Sequence, residues 1–147
     1  MIKAIIFDFG YTIYDPENEK LVDGAIEALE EVHEKGLKLA LVSRTKDVQK
    51  RLEQISNLGL NTYFDYIEVM PLEGTKEFDP IIEKFGFEPQ EFLVVGDRVR
   101  SEIKIGNQKG METCQFLFGP RLKELPEKSD EKPNHKINKV SEVVNLV

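Results

Sequence analysis

The sequence predicts an α/β protein of three layers, α/β/α, around a mostly parallel, Rossmann-like sheet. Two patterns carry that expectation. Continuous apolar runs too short for helices recur along the chain, as expected of strands buried on both faces. Between them lie segments whose apolar residues repeat at helical spacing, each closed by a glycine. This alternation implies βαβ units with helices on both sides of the sheet. The length of 147 residues suits one domain, residues 1–147, with a core that needs no staples.

The first run, IKAIIF (residues 2–7), reads as a buried strand ending at Asp8, followed by the turn-rich GYTIYDPENE. Residues 21–36 place Val22, Ala25, Ile26, Leu29 and Val32 on one helix face, with Gly36 as the C-terminal stop. LKLALV (37–42) is a second buried strand, ending at Ser43. Val48, Leu52 and Ile55 mark a helix over 46–58. A third strand falls within 63–70, and residues 71–78 are a loop. Asp79-Pro80 reads as an N-cap followed by proline at the first helical position. Ile81, Ile82 and Phe85 face the core, and Gly86 ends that helix. FLVV (92–95) is a fourth strand, leading into Gly96-Asp97. Residues 99–109 form a helix closed by Gly110, and 111–118 a fifth strand. The polar, proline-containing segment 119–134 reads as a surface loop, 135–139 as a short strand and 141–147 as a last helix.

Composition excludes several function classes. Twenty Lys and Arg against 27 Asp and Glu give a net charge of −7, the reverse of a nucleic-acid binder. No apolar stretch approaches the ~20 residues that span a bilayer, and the N-terminus lacks the long apolar centre of a signal peptide. One cysteine, Cys114, rules out a disulfide framework or a cysteine-based zinc site. A cytoplasmic protein is expected. His33 reads as an exposed helix residue, and His135 shows no acidic partner in the sequence.

In open α/β sheets, ligands bind beyond the carboxyl ends of the strands. The residues there are Asp8, Ser43 with Arg44, and Asp97 with Arg98, with Lys76 in a loop at the same end. Two aspartates, a hydroxyl and a lysine on one rim make a site for phosphate and a divalent cation. Each also has a plainer role. Asp8 can cap a turn, and Ser43 and Asp97 can cap helices. Surface lysines are common, and Lys46 and Lys84 compete with Lys76.

In that order and spacing the motifs resemble the haloacid dehalogenase-like hydrolases, a superfamily of aspartate-nucleophile phosphatases. FDFGYTI (7–13) resembles the first motif and LALVS (39–43) the second. Lys76 stands at the third, and VVGDRVRSE (94–102) resembles the fourth. The resemblance implies Asp8 as the nucleophile that becomes an aspartyl-phosphate. It implies Mg²⁺ held by Asp8, the backbone carbonyl of Gly10 and Asp97, with Glu102 in direct or water-mediated support. Ser43 would hydrogen-bond the phosphoryl oxygens, and Lys76 would neutralise charge on both Asp8 and the phosphate. Arg44 is a further candidate for the substrate phosphate, although solvated loop arginines are the plainer reading of Arg44 and Arg98. Phosphoryl transfer needs positioning and charge compensation above all, and this set supplies both.

One position departs from the family pattern. Phosphatases of the family carry a second Asp two residues after the nucleophile, as general acid and base. Here it is Gly10. A backbone carbonyl survives the change, but the proton donor does not, which is typically a ~10²–10⁴-fold loss. Tyr11, Asp15 and Glu17 lie nearby in sequence, but the sequence assigns the role to none of them. The family's dehalogenases also lack that Asp, but they work without metal. A second class of function is therefore weighed beside the enzyme: a degenerate member that binds a phosphorylated ligand or protein partner without turnover. A receiver-type phosphoacceptor is disfavoured, because the third strand ends in Val69-Met70-Pro71 rather than in an acid.

Asp8 and Ser43 lie 35 positions apart, and Ser43 and Lys76 lie 33 apart. The predicted elements consume both intervals. No cap domain fits, residues 10–20 alone can form a flap, and the site is expected to be open. A large substrate or a second copy of the chain would then cover it.

Overall fold

The computed structural model describes residues 1–147. Its centre is a six-stranded sheet. The strands are β1 (Ala4–Asp8), β4 (Lys38–Thr45), β5 (Tyr66–Pro71), β6 (Phe92–Gly96), β7 (Glu112–Phe116) and β8 (His135–Ile137). The order across the sheet is β5-β4-β1-β6-β7-β8, and every neighbouring pair is parallel. Two further strands, β2 (Tyr14–Asp15) and β3 (Lys20–Leu21), form a small antiparallel hairpin outside the sheet. The helices are α1 (Ala25–Glu34), α2 (Val48–Asn57), α3 (Asp79–Phe85) and α4 (Lys104–Lys109).

The apolar runs are continuous because the sheet is buried on both faces. Alternate residues point to opposite sides. Ile5 and Phe7 of β1 join Leu39, Leu41, Leu93 and Val95 in one core, which α1, Ile55 of α2, Val140 and Val143 complete. Ala4 and Ile6 join Ala40, Val42, Phe92 and Val94 in the other, closed by Phe78, Ile81 and Met111. The predicted layered α/β/α architecture is what forms.

Chain order decides where a site can open. From β1 the chain builds outward through β4 and β5, then crosses back to lay β6, β7 and β8 on the other side. The direction of winding reverses at β1. Its carboxyl end therefore lines the crevice between the loops that leave β1 and β6, which run to opposite sides. No cap is inserted. Only the hairpin and α1 lie between β1 and β4, and only α2, a 3₁₀ turn (Leu60–Thr62) and β5 lie between β4 and α3.

Several boundaries differ from the sequence reading. The first helix starts at Ala25 rather than residue 21, because Lys20 and Leu21 pair with Asp15 and Tyr14. The hairpin tip is tied by Asp15, whose carboxylate accepts the backbone N–H of Glu17 (3.0 Å) and the side-chain amide of Asn18 (2.7 Å). The second strand runs on past Ser43 to Thr45, since Ser43–Thr45 still pair with Val69–Pro71. Strand β5 begins only at Tyr66, because Phe64 turns inward onto the Phe7 ring. Asp79 is not the N-cap of α3. Buried Phe78 takes that position, and Asp79 bonds Lys109 at 2.6 Å instead. The expected helix over 99–109 opens as a wide π-type turn, Val99–Ile103, before α4. The last helix is 3₁₀ over Val140–Leu146, with Val140 and Val143 buried in the core.

Candidate active site

Five polar side chains predicted from the motifs converge at the carboxyl edge of the sheet, and all are buried: Asp8, Ser43, Lys76, Asp97 and Glu102. Asp8 is the last residue of β1, and Asp97 follows β6 directly. Lys76 comes from the loop before α3, whereas Lys46 and Lys84 are exposed. Its ammonium donates to Asp8 Oδ1 at 2.5 Å and to Glu102 Oε1. The lysine thus reaches 68 positions back along the chain to the end of β1.

Glu102 reaches the centre because of the π-type turn. One extra residue per turn rotates its side chain inward, a device common at functional sites. Gly96 makes room for it. A Cβ at Gly96 would lie 2.8 Å from Glu102 Oε2 and 2.9 Å from its Cβ. Any other residue there would push the carboxylate out.

Asp8, Asp97 and Glu102 each offer an oxygen, and these oxygens lie within 4.8 Å of one another. Three carboxylates so close, with one ammonium bonded among them, repel one another. Burial, with repulsion from Asp8 and Glu102, pushes the Asp97 carboxyl up to about 8. Burial and Glu102 push Asp8 up to about 6, against the pull of Lys76. Glu102 goes the other way. Burial acts to raise it, but the Lys76 ammonium outweighs burial and holds it below the usual range. Burial opposes the charge on Lys76, and the two carboxylates overcome it and raise its pKa. Asp97 Oδ2 and Glu102 Oε2 are buried with no hydrogen-bond partner. Buried polar atoms are rarely left so, at about 1–3 kcal/mol each. An all-oxygen, multiply charged donor set with two spare oxygens fits a hard divalent cation such as Mg²⁺, and does not fit a soft metal.

Arg51 was not foreseen from the sequence. From α2 it donates to Ser43 Oγ and lies over the Phe9 ring, 4.8 Å from its centroid. The available signal was its place on the helix that follows the strand bearing Ser43. Arg44 Nη1 donates to the Gly74 carbonyl at 2.5 Å, bracing the loop that carries Lys76. Arg44, Arg51, Arg98 and Arg121 line one cleft of about 280 Å³ with the three carboxylates, Ser43, Gly10 and Lys76.

Asp15 is turned into the hairpin, and the Asn18 amide bonded to it lowers its pKa. Glu17 is exposed and lies off the cleft, while Tyr11 lines it. Tyr11 holds a left-handed backbone (φ 58) and packs on Gly119, where a Cβ would sit 2.4 Å from the ring. Gly10 keeps ordinary backbone angles, and a Cβ there would meet nothing within 4 Å. Cys114 is a buried core residue whose thiol burial pushes up to about 12. His135, without a visible acidic partner in the sequence, meets Glu112 Oε2 at 3.1 Å, because parallel pairing sets β8 beside β7.

Residues 14–116 match the sequence profile of the haloacid dehalogenase-like hydrolases. The chain belongs to that family. The match spans Ser43, Lys76, Asp97 and Glu102, and begins after Asp8 and Gly10. A glyceraldehyde 3-phosphate phosphatase of Pyrococcus abyssi is 33% identical over 103 residues, 67% of this chain and 43% of the relative. One of the same name from Methanopyrus kandleri is 28% identical over 127 residues, 83% of this chain and 54% of the relative. The chain thus spans about half the length of these curated relatives. An uncharacterized protein of Listeria monocytogenes serotype 4b has the same fold at near-equal size. Its TM-score is 0.77 at 22% identity, over 99% of this chain and 96% of that one.

Proposed function

We propose that residues 1–147 form one Mg²⁺-dependent phosphohydrolase domain in which Asp8 is the nucleophile. The observation that carries this reading is the buried carboxylate triad, with two oxygens that have no hydrogen-bond partner and with Lys76 bridging Asp8 and Glu102. The Asp8 carboxylate attacks phosphorus as the ester oxygen leaves, and water then hydrolyses the aspartyl-phosphate. Lys76 offsets the charge of a carboxylate approaching an anionic phosphate. Ser43, held by Arg51, presents its hydroxyl to the phosphoryl oxygens, and Arg44 stands on the same wall. Asp8, Asp97 and the Gly10 carbonyl would hold Mg²⁺, with Glu102 directly or through water, and the ion would neutralise phosphoryl charge.

The relatives' name supports a small phosphorylated molecule as substrate. The open cleft leaves a bulky substrate or a second copy of the chain to exclude water. No helix is long and apolar enough to cross a membrane. The single buried, unpaired cysteine suits the cytoplasm. A dehalogenase would need an apolar pocket, and this cleft is lined mainly by charged groups.

Gly10 favours a second reading, binding without turnover. Hydrolysis of 4-nitrophenyl phosphate separates the two. Turnover that needs Mg²⁺ and falls at least ~10³-fold in Asp8→Asn supports the enzyme. Activity that ignores chelator or survives the substitution removes it. Trapping of Asp8 by beryllium fluoride without turnover supports the binding protein.

A further inference from the structure

We propose that the cleft is built for a substrate with two anionic groups: the phosphoryl group at Asp8, and a carboxylate or second phosphate received by Arg44, Arg98 and Arg121. This rests on the phosphoryl-site reading above and adds the substrate class. Five cationic side chains line the cleft against three carboxylates, in a protein whose net charge is −7. Lys76 is consumed by Asp8 and Glu102, and Arg51 by Ser43 and the Phe9 ring. The other three come from separate elements: Arg44 from the end of β4, Arg98 after β6, and Arg121 from the turn after β7. None of them pairs with a carboxylate, although the chain has 27 to offer. The Nε atoms of Arg44 and Arg98 are buried with no acceptor. Arg44 keeps one donor on the Gly74 carbonyl. Guanidinium donors left without a carboxylate beside a phosphoryl site are receptors for a planar or tetrahedral oxyanion. One phosphoryl group seated between Asp8, Ser43 and Lys76 does not require three more.

The test uses the full chain with Asp8→Asn, which cannot turn over, in Mg²⁺, with affinity read by calorimetry. Three probes are compared: ethyl phosphate, 2-phosphoglycolate, and methylenebisphosphonate. The expected result is about 10–100-fold tighter binding of one or both doubly anionic probes than of ethyl phosphate. Which one gains distinguishes a carboxylate from a second phosphate. In Arg98→Gln and Arg121→Gln that preference shrinks about tenfold or more, because the doubly anionic probe loses more affinity than ethyl phosphate does. Equal affinity for all three probes overturns the proposal without any variant. A clear preference in a protein whose Asp8 form hydrolyses nothing leaves this inference standing and removes the phosphatase. No binding of any probe overturns this inference, and the turnover assay above then decides the phosphatase reading by itself.

Discussion

Asp97→Asn isolates the electrostatics of the site. The substitution keeps shape and hydrogen-bonding capacity and deletes one of three carboxylates whose oxygens lie within 4.8 Å. In the metal-free folded protein Asp97 holds its proton up to about 8, while an unfolded aspartate has lost it by pH 5. The folded state therefore binds one more proton than the unfolded state between those limits, and its stability falls as pH rises. The slope for one proton is about 1.4 kcal/mol per pH unit. From pH 5 to pH 7 the wild type should lose ~2.7 kcal/mol relative to Asp97→Asn, which pays no such cost. For a chain of this size that widens the Tm gap by roughly 5–11 °C in favour of the variant. Asp8, pushed up to about 6, titrates inside the window in both proteins and cancels in the difference between them, while Lys76 and Glu102 do not disturb it. Lys76 keeps its charge throughout, and the stability from the lowered Glu102 is lost only as pH falls below its ordinary range. Mg²⁺ should reverse the order at pH 7, raising the wild-type Tm through its ligand set and leaving the variant nearly unmoved. Thermal melts from pH 5 to 7, with EDTA and with MgCl₂, read both effects. A Tm gap that does not change with pH, or an equal Mg²⁺ shift in both proteins, would refute the reasoning.

Two further substitutions probe turnover. Gly10→Asp should raise kcat on a poor leaving group such as an alkyl phosphate by ~10²–10⁴-fold, and the open space at that Cβ lets the fold accept it. An unchanged alkyl-phosphate rate with intact melting would show that the missing acid is not what limits the reaction. Arg51→Gln removes the donor that holds Ser43 and the cation over Phe9. KM for 4-nitrophenyl phosphate should rise about tenfold, and a steady-state comparison with wild type measures it.

The strands, the helices that follow them, and Asp8, Ser43, Asp97 and Glu102 were legible because their signals are local. A continuous apolar run encodes a doubly buried strand, a glycine stop encodes a helix end, and chain order decides which residues reach the carboxyl edge. Boundaries were missed where distant residues decided them. Asp79 lost the N-cap because Phe78 is drawn into a core assembled from three strands. The last helix tightened to 3₁₀ as Val140 and Val143 packed into the core beside α1.

The site divides in the same way. The sequence by itself determined which chemical groups stand at the strand ends, and that Gly10 supplies no proton. Only the tertiary structure decided that Lys76, rather than Lys46 or Lys84, meets Asp8, because a loop 68 positions away must fold back to bring it there. Only the tertiary structure turned Glu102 inward through the π-type turn over Gly96, and seated Arg51 against Ser43. Pattern in a sequence reports which face of its own element a residue occupies. Charge compensation in a buried site depends on distances of a few ångströms between elements, and packing alone sets those.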